Sequence, residues 1–179
     1  MEQNILKRYN EIHIMLWEEI IKVFAARTRE IRDIEYYRVN REQIKTLSIV
    51  KLKTAALFNL FVSGKITEQE KNNLLMSNDC AACYISHVEH KIQVEFGMAS
   101  AFKCVCLCCP IGKWRNSSSQ CGDYYTISDK IDYLISRIAK CIDGKEKFSL
   151  EAYTSLRKDI IKKMYIVAHL EWGNEENEV

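Results

Sequence analysis

Apolar residues recur at spacings of three and four along the first part of the chain. Ile5, Tyr9, Ile12, Leu16, Ile20 and Val23 share one line, which predicts an amphipathic helix over residues 3–27. His13, Trp17, Ile21 and Phe24 widen that stripe. A wide stripe suits a buried bundle helix better than a narrow coiled-coil seam. Residues 28–39, TREIRDIEYYRV, are charged with Ile31 and Ile34 inside, and read as a helical continuation or a connector. Asn40, with Gln43 three positions on, opens a capping box. Behind it Ile44, Leu47, Val50, Leu52, Ala55, Leu57, Phe58, Phe61 and Val62 predict a helix over about 41–63. Gly64 can end it in a left-handed conformation.

A second capping box, Thr67-Glu68-Gln69-Glu70, opens a short helix through Leu74, Leu75 and Met76, which Asn78-Asp79 ends. The next stretch is ambiguous. Tyr84, Val88 and Ile92 fit a helix, while Ile92, Val94 and Phe96 alternate with Lys91, Gln93 and Glu95 as a strand would. Ser128 caps a predicted helix through Ile131, Leu134, Ile135 and Ile138, stopping near Asp143-Gly144. Ser149 caps a last long helix through Tyr153, Leu156, Ile160, Ile161, Met164, Val167 and Leu170, with Gly173 at its end. One proline and six glycines in 179 residues leave few breakers. The expected fold is therefore mainly α: a single helical domain over residues 1–173 and an acidic disordered tail, NEENEV, at 174–179. It is a helical bundle with a zinc-stapled cysteine-rich insertion at about 80–121, where a small β-hairpin is an alternative to helix.

Composition narrows the function. Apolar residues make up 47% and charged residues 28%, the balance of an ordinary globular protein. The net charge of +2 falls short of the basic excess of a dedicated nucleic-acid binder, so only a local patch could argue for one. Lys7, Arg8, Glu11 and Glu18 interrupt any signal-peptide core. No stretch approaches the run of about 18 apolar residues that spans a membrane. A cytoplasmic protein without a membrane partner is expected. In a reducing compartment its eight cysteines favour metal ligands or free thiols over disulfides.

Cys80 and Cys83 form one C-x-x-C knuckle, and Cys106 and Cys109 a second, with 22 residues between the two. Two residues between cysteines let a tight turn aim both sulfurs at one ion, and two such turns complete a tetrahedron. The expectation is one zinc held by Cys80, Cys83, Cys106 and Cys109, with Cys121 able to replace one of them across the loop Asn116–Gln120. An iron–sulfur cluster is the alternative cofactor, since Cys104 and Cys108 add thiolates, although no ferredoxin spacing is matched. Plain packing and redox-active thiols are the competing explanations. Cys141 reads as a buried small apolar residue. His87 and His90 lack the spacing of H-E-x-x-H and read as solvated, and His13 and His169 as core or boundary residues.

Cys80-Ala81-Ala82-Cys83, then Cys106-Leu107-Cys108-Cys109-Pro110, then Cys121 and a C-terminal helix resembles small uncharacterised cysteine-motif proteins of bacteriophages and prophages, over about residues 74–140. Cys104 and Cys108 depart from that pattern. The resemblance implies an origin on a mobile element and action by binding and inhibiting host proteins, defence proteins included. No phosphate-cradling glycine motif is present, and a zinc with four thiolates leaves no open position for substrate. The leading expectation is thus a non-catalytic zinc protein that binds a macromolecule, most readily another protein. Lys113, Trp114 and Arg115 on the metal-pinned loop are expected to form part of its contact surface, with packing of Trp114 against the helical body as the alternative. A nucleic-acid module is the first alternative: Arg27, Arg29, Arg32, Arg38 and Arg41 surround Tyr36 and Tyr37, and Arg157, Lys158, Lys162 and Lys163 form a second basic stretch. Interleaved Glu30, Asp33, Glu35 and Glu42 favour a solvated surface there. A thiol-redox enzyme or iron–sulfur protein is the second alternative.

Overall fold

The computed structural model describes residues 2–76 and 122–169. Among them are seven α-helices, one 3-10 turn and no strand. The cysteine-rich stretch expected at 80–121, its hairpin alternative, the expected metal ligands and the acidic tail all lie outside the described residues.

Helix α1 (Glu2–Arg27) is the element around which the rest is arranged. A 3-10 turn (Arg29–Arg32) leads to α2 (Ile34–Val39), α3 (Arg41–Lys45), α4 (Ile49–Val62) and α5 (Glu68–Met76). The C-terminal pair is α6 (Gly122–Ile142) and α7 (Leu150–Ala168). α1 packs against α4 and α7, α7 against α6, and α6 against α2 and α3. The stripe on α1 is buried as its periodicity predicts: Ile12, Leu16, Trp17, Ile20 and Phe24 join Leu52, Leu57 and Leu60 of α4 and Ile160, Met164 and Val167 of α7 in one core. Full burial of a Leu or Ile contributes about 1.5–3 kcal/mol, so this apolar seam is the main source of stability. No helix among the described residues is long and apolar enough to cross a membrane.

The helix expected over 41–63 is broken. α3 stops at Lys45 and α4 starts at Ile49. The Thr46 carbonyl, which would accept from Val50 in a continuous helix, accepts from the Arg27 guanidinium instead. Thr46 and Leu47 make tight bonds back to Gln43 and Ile44, and Ser48 is extended at φ −57, ψ 146. The break lets Leu47 turn fully into the core. Asn40 does not cap α3; its amide donates to Tyr36 O at 2.8 Å and closes the helix before it. Ser128 likewise lies inside α6, which begins at Gly122. Buried Ile127 and Ile131 continue a single helical stripe across the serine.

Two junctions follow the sequence closely. Gly64 adopts φ +72 after α4. The Glu70 amide donates to Thr67 Oγ1 at 3.2 Å and the Thr67 amide to Glu70 Oε2 at 2.8 Å, a complete capping box. Arg8 clamps this turn to α1: Nε donates to Glu70 Oε1 at 2.8 Å and Nη2 to Lys65 O at 2.7 Å. The hydrogen bond from Arg8 holds the Glu70 carboxyl below the usual carboxylate range.

Candidate binding surface

α4 reads IVKLKTAALFNLFV, apolar nearly all round. A helix of that kind is normally buried on every side. Here only one side is covered: Ile49, Leu52, Ala56, Leu57 and Leu60 face the core. Val50, Phe58 and Val62 point outward and are 58%, 58% and 69% exposed. Together with Thr54 they form a row at spacing four, and half-buried Ala55 and Phe61 fill its flanks. Phe58 sits at the centre of this exposed apolar row, while its neighbour Leu57 is fully buried.

Beside the row is a shallow groove of about 370 Å³, with Arg27, Thr46, Lys51, Thr54, Phe58 and Asn59 in its lining. Arg27 reaches it from the end of α1, half-desolvated, with burial lowering its pKa. Lys51 is exposed on its rim. At the far end of α4 the Lys71 ammonium stands 4.3 Å from the centre of the Phe61 ring. α4 itself carries no carboxylate. Glu19 of α1 accepts from the Asn59 amide at 3.0 Å and pairs with Lys22. The surface is thus an apolar strip with a cationic margin.

Cys80, Cys83, Cys106, Cys109 and Cys121, and the contact residues Lys113, Trp114 and Arg115, all lie outside the described residues, as do His87 and His90. Among the described residues no three His, Cys, Asp or Glu side chains converge as a ligand set. Cys141 is buried, as expected, with Sγ 3.1 Å from Tyr153 Oη.

Of the side chains offered for nucleic-acid contact, Arg27, Tyr37 and Arg157 are engaged within the fold, whereas Arg29, Tyr36, Arg38, Arg41, Lys158 and Lys162 are exposed. Arg157 donates to Thr28 Oγ1 at 2.7 Å and to Ala25 O at 3.0 Å, covering the otherwise unpaired end of α1. Tyr37 is fully buried and donates to Arg27 O at 2.9 Å. Arg38 pairs with Glu35, and Arg41 with Asp143. On α7, Asp159 lies among Lys130, Lys162 and Lys163 and accepts from Lys130, which holds its carboxyl below the usual range.

A polar cluster joins α6 to α7. Arg137 donates to Tyr133 Oη at 2.7 Å, pairs with Glu146 and lies over the rings of Tyr133 and Tyr153. The adjoining cavity is only about 70 Å³, well below the roughly 300 Å³ of a small-molecule pocket. With its cation already paired, the cluster works as a clasp for the helical hairpin.

His13 is buried, with Nε2 donating to Val167 O at 3.0 Å. His169 is half-exposed, 3.8 Å from Glu18. The outward row on α4 was missed because periodicity marks apolar positions without saying which of them find a neighbour. The signal available was the ten apolar residues among the fourteen of that helix, more than one face can bury. Comparison with family models, with curated proteins and with solved structures finds no match to this chain.

Proposed function

We propose that this protein works by stoichiometric binding to another protein, without turnover. The observation that supports this is the outward apolar row of α4, Val50, Phe58 and Val62, on an otherwise well-buried helix. Exposed apolar strips with a polar margin are a usual feature of protein interfaces, and a central aromatic is a frequent hot spot. The fixed backbone of α4 adds to this, since a pre-ordered surface loses less entropy on docking.

The spacing of Cys80, Cys83, Cys106 and Cys109 supports a structural zinc that stiffens a second contact region around Lys113, Trp114 and Arg115. The likeness to phage and prophage cysteine proteins supports inhibition of a host protein in the cytoplasm as the outcome of binding. The engagement of Arg157 and Tyr37 inside the fold, and of Arg41 in a surface ion pair with Asp143, supports the protein-binding reading over the nucleic-acid alternative.

The test is reconstitution with a captured partner. A partner purified separately should form a complex of fixed stoichiometry with the native chain. Phe58→Glu should weaken that complex at least tenfold while the melting temperature holds. Catalytic turnover of any substrate by the purified chain would overturn the proposal.

A further inference from the structure

We infer that the partner presents an acidic amphipathic helix, about three turns long, to the outward face of α4. This rests on the binding reading above and goes on to name the chemistry of the partner. Length comes first. Val50 and Val62 are twelve positions apart, about 18 Å along a helix axis. A segment of roughly three turns would cover the row end to end. Shape comes second. A row at spacing four is one ridge of a helix surface, and such ridges seat in the grooves of a second helix. The groove beside Phe58, between α4 and the end of α1, gives the incoming helix a place for its own apolar side chains.

Charge decides what flanks those side chains. Arg27 and Lys51 line the groove, with no carboxylate among its lining residues. Lys71 holds the opposite end over Phe61. A helix with glutamates or aspartates beside its apolar stripe would meet cations at both ends, which favours its encounter and fixes its register. A second copy of this chain fits less well. Two-fold pairing would bring the same cationic margins together, since each copy contributes the same patch. A nucleic acid fits less well too, because Val50 and Val62 offer neither stacking nor hydrogen bonds to a base.

The probe is a synthetic amphipathic peptide with leucines at helical spacing and glutamates on both flanks. Its control has every glutamate replaced by lysine. Each is titrated against the whole chain by fluorescence anisotropy. The acidic peptide should bind, more weakly as salt is raised, and the lysine peptide at least tenfold less well. Phe58→Glu and Lys51→Glu, both at exposed positions, should each weaken the acidic peptide about tenfold with unchanged melting temperature. Should Phe58→Glu lower the melting temperature, Phe58→Ala and Lys51→Glu carry the same test. Absence of binding, equal binding of the two peptides, or indifference to both substitutions would overturn the inference. So would α4-dependent self-association, or α4-dependent binding of oligothymidylate or anionic lipid vesicles. If a purified partner binds through Phe58 but by a segment that is not an acidic helix, this inference falls and the proposed function stands. Turnover of a substrate removes both.

Discussion

The His13 imidazole sits inside the bundle, and burial lowers its pKa from 6.5 to about 4. The unfolded chain therefore takes up a proton near pH 6.5 that the folded chain accepts only near pH 4. Between those values the unfolded state holds more protons, so stability falls as the pH falls. The contribution is intact above about pH 6.5 and lost at about pH 4 and below. Such a shift corresponds to about 3 kcal/mol. Urea denaturation at pH 7 and pH 4.5 should show the native chain losing about 2–3 kcal/mol more than His13→Gln. Equal losses would mean that His13 titrates normally. A second expectation separates two neighbours. Leu57 is fully buried and Phe58 is 58% exposed. Leu57→Ala should cost about 2–5 kcal/mol, whereas Phe58→Ala should change stability by no more than about 0.5 kcal/mol. A costly Phe58→Ala would mean that the outward row is covered in the folded chain.

Helix ends carry much of the local information in this chain. After α4, the Lys65 amide bonds back to Leu60 O at 2.9 Å while Gly64 turns left-handed at φ +72. A Cβ added at Gly64 would meet nothing within 4 Å. Gly64→Ala should therefore cost only the backbone term, about 1–2 kcal/mol, measurable by thermal melting. A neutral result would mean that the turn relaxes to another conformation. The end of α1 is closed differently. Thr28 Oγ1 donates to Phe24 O at 2.6 Å, and Arg157 and Tyr37 reach in from α7 and α2. No local signal near Thr28 marks the part played by Arg157, because that donor lies 129 positions along the chain.

The described helices share one core, in which α1 meets both the N-terminal α4 and the C-terminal α7. α5 ends at Met76 and α6 begins at Gly122, so the cysteine-rich stretch is inserted between two elements of the same bundle. If Cys80, Cys83, Cys106 and Cys109 hold one zinc, metal binding and folding are thermodynamically coupled there. Cys80→Ser should lower zinc content and stability together, read by elemental analysis and thermal melting of the same preparation. Cys141→Ser should leave zinc unchanged, since that thiol is buried beside Tyr153. Full retention of zinc in Cys80→Ser would reject the ligand set.

The helices and several of their ends were already determined by the sequence. The stripe from Tyr9 to Phe24, the Thr67–Glu70 capping box, the left-handed Gly64 and the Ser149 cap depend on residues three or four positions apart, and such signals need no distant partner. The tertiary structure decided the rest. It broke the helix at Thr46, where Arg27, nineteen positions away, takes the carbonyl. It extended α6 back past Ser128, and it turned Asn40 to close α2. Above all, it chose which side of α4 to bury. An apolar residue at helical spacing is equally suited to a core and to an interface; only the placement of α1 against one side of α4 left Val50, Phe58 and Val62 facing outward.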